Sequence, residues 1–316
     1  MILTKRDFID LDGYSRMQIT RLINDALKFK SRGYPRDKPL KERFVALLFQ
    51  KPSTRTRVSF EVATGLLGGR SLYLGWNELQ LGRGETIGDT ARVLSGYVDA
   101  IVARVDRHQD VTTLALNSGK PVVNALSDLL HPCQALADTM TIAEEKGKLS
   151  SLRIAYVGDG NNVCNSLIEI CGKLGLHLAV ACPPGYRPNP TILNKASVTA
   201  EKMKAHIEVF SDPVKAVRQA DVVYTDVFAS MGQESERPKR MRTFYPRYQV
   251  NRKLMVRAKP DAIFMHCLPA HRGEEVTDEI IDGNQSRVWQ QAENRLHSEA
   301  ALLRYLLPRR RGRVKR

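Results

Sequence analysis

The segment whose side chains offer the most chemistry is 49–57, which joins an apolar run to a helical pattern. The run 44–49 predicts a buried strand, and apolar residues recur at helical spacing after Pro52. Proline and hydroxyl side chains suit the first turn of a helix. Hydroxyls, backbone N–H groups and a guanidinium would then meet at one helix N-terminus, which favours an anion such as phosphate. The side chains concerned are Ser53, Thr54, Arg55 and Thr56. An ordinary capped helix with surface arginines is the alternative.

A second polar group, 131–134, opens the helix that follows the fourth predicted strand. His131 can donate to a carbonyl oxygen, and the amide of Gln134 can bond another amide. Arg104 ends the third predicted strand and adds a positive charge. A capping histidine beside a buried cysteine is the alternative interpretation of 131–134.

The second half of the chain contains a broken glycine motif and a carboxylate that follows a strand. Segment 158–162 resembles the start of a dinucleotide loop, but Val163 stands where the third glycine of that G-x-G-x-x-G fingerprint belongs. Asn162 and its neighbour therefore favour polar recognition over a cofactor. Asp226 follows a later strand together with Ser230, and a carboxylate there can pair with an ammonium group.

The segment 266–273 places a histidine beside a cysteine at the end of a strand. Neighbours in a strand point to opposite faces, so we expect His266 and Cys267 not to share one proton or one metal ion. The sequence thus predicts no metal site. Leu268 precedes Pro269, and an X-Pro bond can adopt either isomer.

Short apolar strands alternate with helical patterns, which predicts an α/β fold of two domains, each a mostly parallel sheet flanked by helices. Residues 1–146 form the first domain and 147–289 the second, while the helix 290–306 packs back on the first and the basic tail 307–316 is disordered. Strands are expected near 44–49, 71–75, 100–104, 121–126, 153–158, 177–182, 206–210, 222–226 and 262–267. Helices are expected near 15–31, 53–67, 88–98, 108–117, 131–146, 162–174, 191–205, 213–219 and 251–258. Because ligands bind at the carboxyl ends of parallel strands, the active site is expected in the cleft between the domains.

Composition restricts the class of protein. The chain has 316 residues, 42% of them hydrophobic, and a net charge of +15. The last eight residues supply +6 of that charge, and the body has no basic stripe interleaved with aromatic residues, so nucleic-acid binding is disfavoured. No apolar run approaches the ~20 residues of a membrane helix, and no signal segment is visible. Five cysteines without a C-x-x-C pair indicate a reducing, cytoplasmic location.

Four motifs in order along the chain resemble the ornithine members of the aspartate/ornithine carbamoyltransferase family. They are 53–57, 131–134, 226–232 and 266–269. The resemblance extends over most of the chain and includes 80–85 and 291–295, whereas 76–78 departs from the residues that relatives often show.

The resemblance implies two substrates, carbamoyl phosphate and L-ornithine, no metal or other cofactor, no membrane, and a homotrimer or a multiple of trimers. The carbamoyl-phosphate ligands would be Ser53, Thr54, Arg55, Thr56, Gln80 from a neighbouring subunit, Arg104, His131, Gln134, Cys267, Leu268 and Arg295. The ornithine ligands would be Asn162, Asp226, Ser230 and Met231. The catalytic residues would be Arg104, His131 and Cys267.

The expected reaction is direct attack of the neutral δ-amine of ornithine on the carbamoyl carbon, giving citrulline and phosphate. Proximity and cationic groups placed where charge develops would accelerate it. Either Cys267 or the phosphate could take the proton of the amine. Putrescine or an acylated ornithine is an alternative acceptor. A nicotinamide-dependent dehydrogenase and a nucleic-acid-binding module are alternatives from other classes.

Overall fold

The computed structural model describes residues 7–230 and 232–308. It divides them into two compact units. Among these residues, unit 1 comprises 7–13, 21–133 and 295–308, and unit 2 comprises 14–20 and 134–294. The predicted ligand Met231 and most of the basic tail, 309–316, lie outside the described residues.

Unit 1 contains a four-stranded parallel sheet. Its strands are β1 (Phe44–Phe49), β2 (Arg70–Gly75), β3 (Ala100–Arg104) and β4 (Val122–Leu126), in the order β2-β1-β3-β4. The central strand β1 is a continuous apolar run because both of its faces are covered, as parallel sheets require. The helices of this unit are α2 (Thr54–Leu66), α3 (Ile87–Tyr97) and α4 (His108–Asn117), while α1 (Arg16–Arg32) begins in residues of unit 2 and continues in unit 1. Short 3-10 helices lie at Trp76–Glu78 and Gln80–Arg83.

Unit 2 contains a five-stranded parallel sheet. Its strands are β5 (Arg153–Val157), β6 (His177–Ala181), β7 (Ile207–Phe210), β8 (Val222–Thr225) and β9 (Ile263–His266), in the order β7-β6-β5-β8-β9. Its helices are α6 (Asn162–Leu174), α7 (Pro190–Glu201), α8 (Pro213–Val217), α9 (Arg237–Phe244), α10 (Arg252–Met255) and α11 (Asp278–Ile281), with a 3-10 helix at Glu234–Glu236. Two further helices, α5 (Pro132–Lys146) and α12 (Val288–Leu306), each have residues in both units.

The strand orders and registers determine where polar loops meet. In unit 1 the order reverses direction between β1 and β3, and Phe49 pairs with Arg104. In unit 2 it reverses between β5 and β8, and Val157 pairs with Thr225. His266 at the end of β9 pairs with Thr225 as well. Ligands of open α/β sheets bind at such reversal points, so each sheet presents one preferred binding edge.

The predicted α/β class with two parallel sheets is confirmed, and all nine predicted strands are present. The helix α9 was not predicted, because segment 234–242 is dominated by charged residues and interrupted by Pro238. The predicted helix 191–205 ends at Glu201, and Lys204 lies in the left-handed region at φ 59°. The predicted helix 251–258 ends at Met255. Within the described part of the chain, no helix is both long and apolar enough to span a bilayer.

Candidate active site

The N-terminus of α2 follows β1 at the binding edge of unit 1. Ser53 is the N-cap, with an extended backbone, and its Oγ accepts the N–H of Thr56 at 3.4 Å. Arg57 lies on the helix surface, where its Nε is 3.1 Å from Glu61 and its guanidinium lies 3.8 Å from the centre of the Tyr73 ring. Arg57 is therefore held on the surface of α2 by two half-buried side chains, those of Glu61 and Tyr73.

Arg295 on α12 connects the C-terminal helix to this N-terminus. Its Nη2 lies 3.3 Å from Thr56 Oγ1 and 2.6 Å from Glu299 Oε1. The side chains of Arg295 and Glu299 are 3% and 1% exposed. Burial raises the pKa of Glu299 from 4.5 to about 7, against the lowering effect of Arg295. The guanidinium of Arg295 thus lies beside the Thr56 hydroxyl and adds positive charge at the N-terminus of α2, which suits an anion.

The imidazole of His131 is buried among positive charges. Burial, and after it the guanidiniums of Arg295, Arg104 and Arg55, hold the pKa of His131 well below its usual value. The ring is therefore neutral near pH 7, with one nitrogen that donates and one that accepts. Arg104, at the end of β3, is itself buried. Three guanidiniums acting on one neutral imidazole form a cluster that can stabilise negative charge.

Most of the predicted phosphate ligands of unit 1 thus lie around one cluster. Thr54 is exposed and Arg55 is half-buried on the first turn of α2. Gln80 lies exposed on the 3-10 helix Gln80–Arg83. Among the described residues of unit 1, its side chain makes no hydrogen bond to the cluster.

In unit 2, Asp226 follows β8 as a buried carboxylate. Its Oδ2 accepts from Asn161 Nδ2 at 2.7 Å, and its Oδ1 accepts from the Cys267 thiol at 3.1 Å. Asn161 also caps α6, where its Oδ1 accepts the N–H groups of Val163 and Cys164. Asn161 was not predicted as a site residue. The signal was present as the Asn-Asn pair, but sequence alone did not show which asparagine reaches the carboxylate.

Asn162 and Ser230 lie in the loops that follow the adjacent strands β5 and β8. Asn162 is half-buried at the first residue of α6. The backbone N–H of Ser230 donates to Gln233 Oε1 at 3.1 Å. The predicted ornithine ligands within the described residues therefore occupy one edge of one sheet.

A buried ion pair that sequence analysis missed connects these two loops. Arg240 on α9 donates to Asp159 at 2.7 Å and to the carbonyl of Phe228 at 3.1 Å. Burial raises the pKa of Asp159, although Arg240 opposes that shift. Gly160 lies so close to a neighbouring turn that an added Cβ would come within 2.2 Å of Pro188 N. The ion pair of Arg240 with Asp159 and the close packing at Gly160 together hold the loop after β5 in place.

The turn after β9 corrects one sequence expectation. We expected the side chains of His266 and Cys267 to point apart, but their potential ligand atoms and one of Asp226 lie within 4.8 Å of one another. The strand ends at His266, so alternation no longer applies to the next residue. Both ring nitrogens of His266 are already bonded, Nδ1 to the N–H of Leu268 and Nε2 to Glu275. The imidazole of His266 is therefore engaged in hydrogen bonds to Leu268 and Glu275.

Leu268 has an unusual backbone conformation at the predicted meeting point of the substrates. Its φ is +58°, and the bond to Pro269 is cis. A left-handed conformation costs a residue with a Cβ about 1–3 kcal/mol, so the surroundings must hold it. The 2.8 Å hydrogen bond from Leu268 N–H to His266 Nδ1 is one contact that does so.

The sequence matches a known family over nearly its whole length. Residues 6–144 match “Aspartate/ornithine carbamoyltransferase, carbamoyl-P binding domain”, and residues 150–306 match “Aspartate/ornithine carbamoyltransferase, Asp/Orn binding domain”. The chain therefore belongs to the aspartate/ornithine carbamoyltransferase family, whose members are transferases.

Individual relatives agree with this assignment. The chain is 54% identical over 308 residues to the ornithine carbamoyltransferase of Pyrococcus horikoshii, covering 96% of each chain. It is 54% identical over 304 residues to the anabolic ornithine carbamoyltransferase of Pyrococcus furiosus, covering 95% of this chain and 96% of that one. The solved structure of an ornithine carbamoyltransferase from Pyrococcus furiosus superposes with a TM-score of 0.92 at 52% identity, covering 96% of this chain and 98% of that chain. The resemblance recognised from the motifs is confirmed.

Proposed function

We propose that this chain transfers the carbamoyl group of carbamoyl phosphate to the δ-amino group of L-ornithine, giving L-citrulline and phosphate. The observation that supports this best is that the binding edge of one sheet suits an anion, while the binding edge of the other sheet suits an ammonium group. Unit 1 gathers guanidiniums and hydroxyls around a neutral His131, which suits an anion. Unit 2 holds the buried carboxylate of Asp226, which suits an ammonium group.

In unit 1 the proposed roles follow from charge. Ser53, Thr54, Arg55 and Thr56 bind the phosphate at the N-terminus of α2, and Arg295 adds a positive charge to it. Arg104 and His131 polarise the carbamoyl oxygen as it gains negative charge, which is where fixed donors lower a barrier most. The depressed pKa of His131 keeps the imidazole neutral, so it acts as a hydrogen-bond partner and not as a cation.

In unit 2, Asn162, Asp226, Ser230 and Met231 bind the α-amino and α-carboxylate groups of ornithine. Gln134 orients the carbamoyl group, and the backbones of Cys267 and Leu268 lie where the two substrates meet. The Cys267 thiol donates to Asp226, so it holds its proton in this arrangement. We therefore assign the proton released by the attacking amine to the departing phosphate.

The domain roles follow the same division. We propose that residues 1–146 bind carbamoyl phosphate and that 147–289 bind ornithine, with the helix 290–306 packing back on the first domain and the active site between the domains. We also propose a cytoplasmic homotrimer, or a multiple of trimers, in which Gln80 reaches the phosphate of a neighbouring subunit. The exposure of Gln80 supports this role, since its side chain is available to a partner.

An assay of ureido-product formation from carbamoyl phosphate tests the proposal, with citrulline as the product from ornithine. Ornithine, putrescine and an acylated ornithine serve as parallel acceptors, and aspartate is the control from the other branch of the family. We expect ornithine to exceed each of the others by at least about 100-fold in kcat/KM, because the other acceptors lack the α-amino group, the α-carboxylate or the attacking δ-amine. Preference for putrescine would assign the enzyme a different acceptor.

A further inference from the structure

A chain of buried hydrogen bonds in unit 2 connects Gln134 with the turn that contains Leu268. Gln134 Nε2 donates to Asp138 Oδ1 at 2.8 Å, and Gln291 Nε2 donates to the same oxygen at 2.7 Å. Gln291 Oε1 accepts the backbone N–H of His266 at 2.9 Å. These four residues are at most 2% exposed. The sequence by itself predicts no site role for Asp138 or His266, and Gln291 lies in a segment that resembles the family.

The carboxylate of Asp138 determines the orientation of the Gln134 amide. A carboxylate oxygen accepts hydrogen bonds, so the NH2 end of Gln134 is the end that faces Asp138. The carbonyl oxygen of the amide is then turned the other way. A carbamoyl NH2 group is a donor, and an amide oxygen is the acceptor that can orient it.

Glu275 fixes the other end of the chain through the imidazole of His266. Because His266 Nδ1 accepts the N–H of Leu268, the ring proton lies on Nε2, which is 3.2 Å from Glu275 Oε1. The same carboxylate oxygen accepts the N–H of His271 at 2.6 Å. Glu275 is fully buried. It therefore ties both sides of the turn to one point and supports the left-handed backbone of Leu268.

We infer that Gln291 and Glu275 are positioning residues for carbamoyl transfer, which hold the Gln134 amide and the Leu268 backbone as one hydrogen-bonded unit. This inference rests on the proposed function, because it is the carbamoyl group that these two acceptors would orient. Both residues are fully buried, so we expect them to act through the groups that they hold in place. Small misplacement of such groups is costly for a reaction between two oriented reactants.

The test compares two glutamines that bond the backbone at opposite ends of β9. Gln291 bonds His266 at the carboxyl end, and Gln285 bonds the carbonyl of Ala262 at the amino end. We expect Gln291→Met to lower kcat about 10- to 100-fold while the KM for ornithine stays within about threefold. The matched variant Gln285→Met should lose stability and keep kcat within about twofold of the parent.

Glu275 provides a rescue series with a separate readout. In Glu275→Gln the side-chain oxygen can still accept from His266 and His271, so kcat should stay within about threefold of the parent. Glu275→Met removes the acceptor and should lower kcat about 10-fold or more. Hydrogen–deuterium exchange of the peptide 266–272 should accelerate in the Met variant and not in the Gln variant.

The outcomes separate the inference from the proposed function. If the parent forms citrulline but Gln291→Met and Glu275→Met retain its kcat, the positioning role is wrong and the proposed function stands. Equal losses in Gln285→Met and Gln291→Met would also overturn the inference, since they would reflect general destabilisation. If the parent forms no citrulline, the proposed function fails, while the exchange experiment still reports whether Glu275 holds the turn.

Discussion

Burial sets the charge states of the side chains around the N-terminus of α2. His131 is neutral because its surroundings are both buried and cationic. Glu299 resists ionisation because it is buried, although Arg295 lies within 2.6 Å of it. Burial and neighbouring charge therefore determine how these side chains respond to substitution and to pH.

Arg55→Ala removes the guanidinium proposed to bind the departing phosphate. We expect turnover to fall about 100-fold, because a fixed charge at a developing anion is worth several kcal/mol. The matched control is Arg57→Ala, whose guanidinium bonds Glu61 and covers Tyr73. Steady-state kinetics measures both variants. Turnover of Arg55→Ala within about tenfold of the parent would contradict the phosphate role.

Asp226→Asn tests the ammonium site with little change in shape. The KM for ornithine should rise about 10-fold or more, since an amide pairs weakly with an ammonium group. The KM for carbamoyl phosphate should change much less and serves as the internal control. An unchanged apparent affinity for ornithine would remove Asp226 from the acceptor site.

Glu299→Gln tests the raised pKa through the pH dependence of stability. The folded-state pKa of about 7 exceeds the ordinary value of 4.5, so the folded protein retains a proton that the unfolded chain releases. The contribution of Glu299 is therefore fully present below pH 4.5 and is lost as pH rises toward and through about 7. Relative to the parent, the variant should gain up to about 3 kcal/mol of unfolding free energy across this range.

Denaturant unfolding at several pH values checks this expectation. The matched control is Glu201→Gln, an exposed glutamate at the end of α7. This variant also removes one negative charge, but from an exposed side chain. Parallel pH curves for Glu299→Gln and the parent would show that Glu299 titrates normally.

At the scale of elements, the loops that follow β5 and β8 in unit 2 depend on contacts with helix α9. Arg240 on α9 bonds Asp159 after β5 and Phe228 after β8. These loops bring the predicted ornithine ligands to the reversal point of the strand order. The helix therefore supports the site without contributing a predicted ligand.

Arg240→Met removes one partner of this buried pair. We expect unit 2 to lose about 3–5 kcal/mol, because the Asp159 carboxylate is left buried without its cation. The double variant Arg240→Met with Asp159→Asn should recover part of the loss, since no buried charge is then left unpaired. Chemical denaturation measures both. A single variant as stable as the parent would mean that the ion pair is not what holds these loops.

At the scale of the whole molecule, the proposed trimer needs an apolar surface. In the described sheet of unit 1, β2 is an edge strand, and Leu72 on it is 42% exposed. Val58 and Val62 are exposed one turn apart on α2, which packs beside β2. An exposed edge strand with apolar neighbours is a common site of association.

Leu72→Glu should therefore shift the assembly toward monomers and lower activity in parallel, because Gln80 is proposed to act in a neighbouring subunit. The matched control is Val198→Glu, at a similarly exposed apolar residue on α7 of unit 2. Analytical ultracentrifugation combined with the citrulline assay measures both properties. A fully active monomer would refute the shared site.

Some of the site could be predicted from the order of residue types along the chain. The motif at Ser53, the carboxylate Asp226 and the histidine His131 each follow an apolar strand, and parallel strands expose their carboxyl ends on one edge. That logic needs only local patterns. It did not reveal α9, because the charged residues of this helix show no apolar periodicity.

By itself, the sequence determined the class of fold, the positions of the strands and which polar residues follow them, because these depend on local periodicity and on the chemistry of capping. Tertiary structure alone decided the strand orders that bring β1 beside β3 and β5 beside β8. It also decided that Asn161 is the partner of Asp226, and that Gln291 and Glu275 bond His266. Such contacts join residues distant in the chain, and burial gives them charge states that no local pattern encodes.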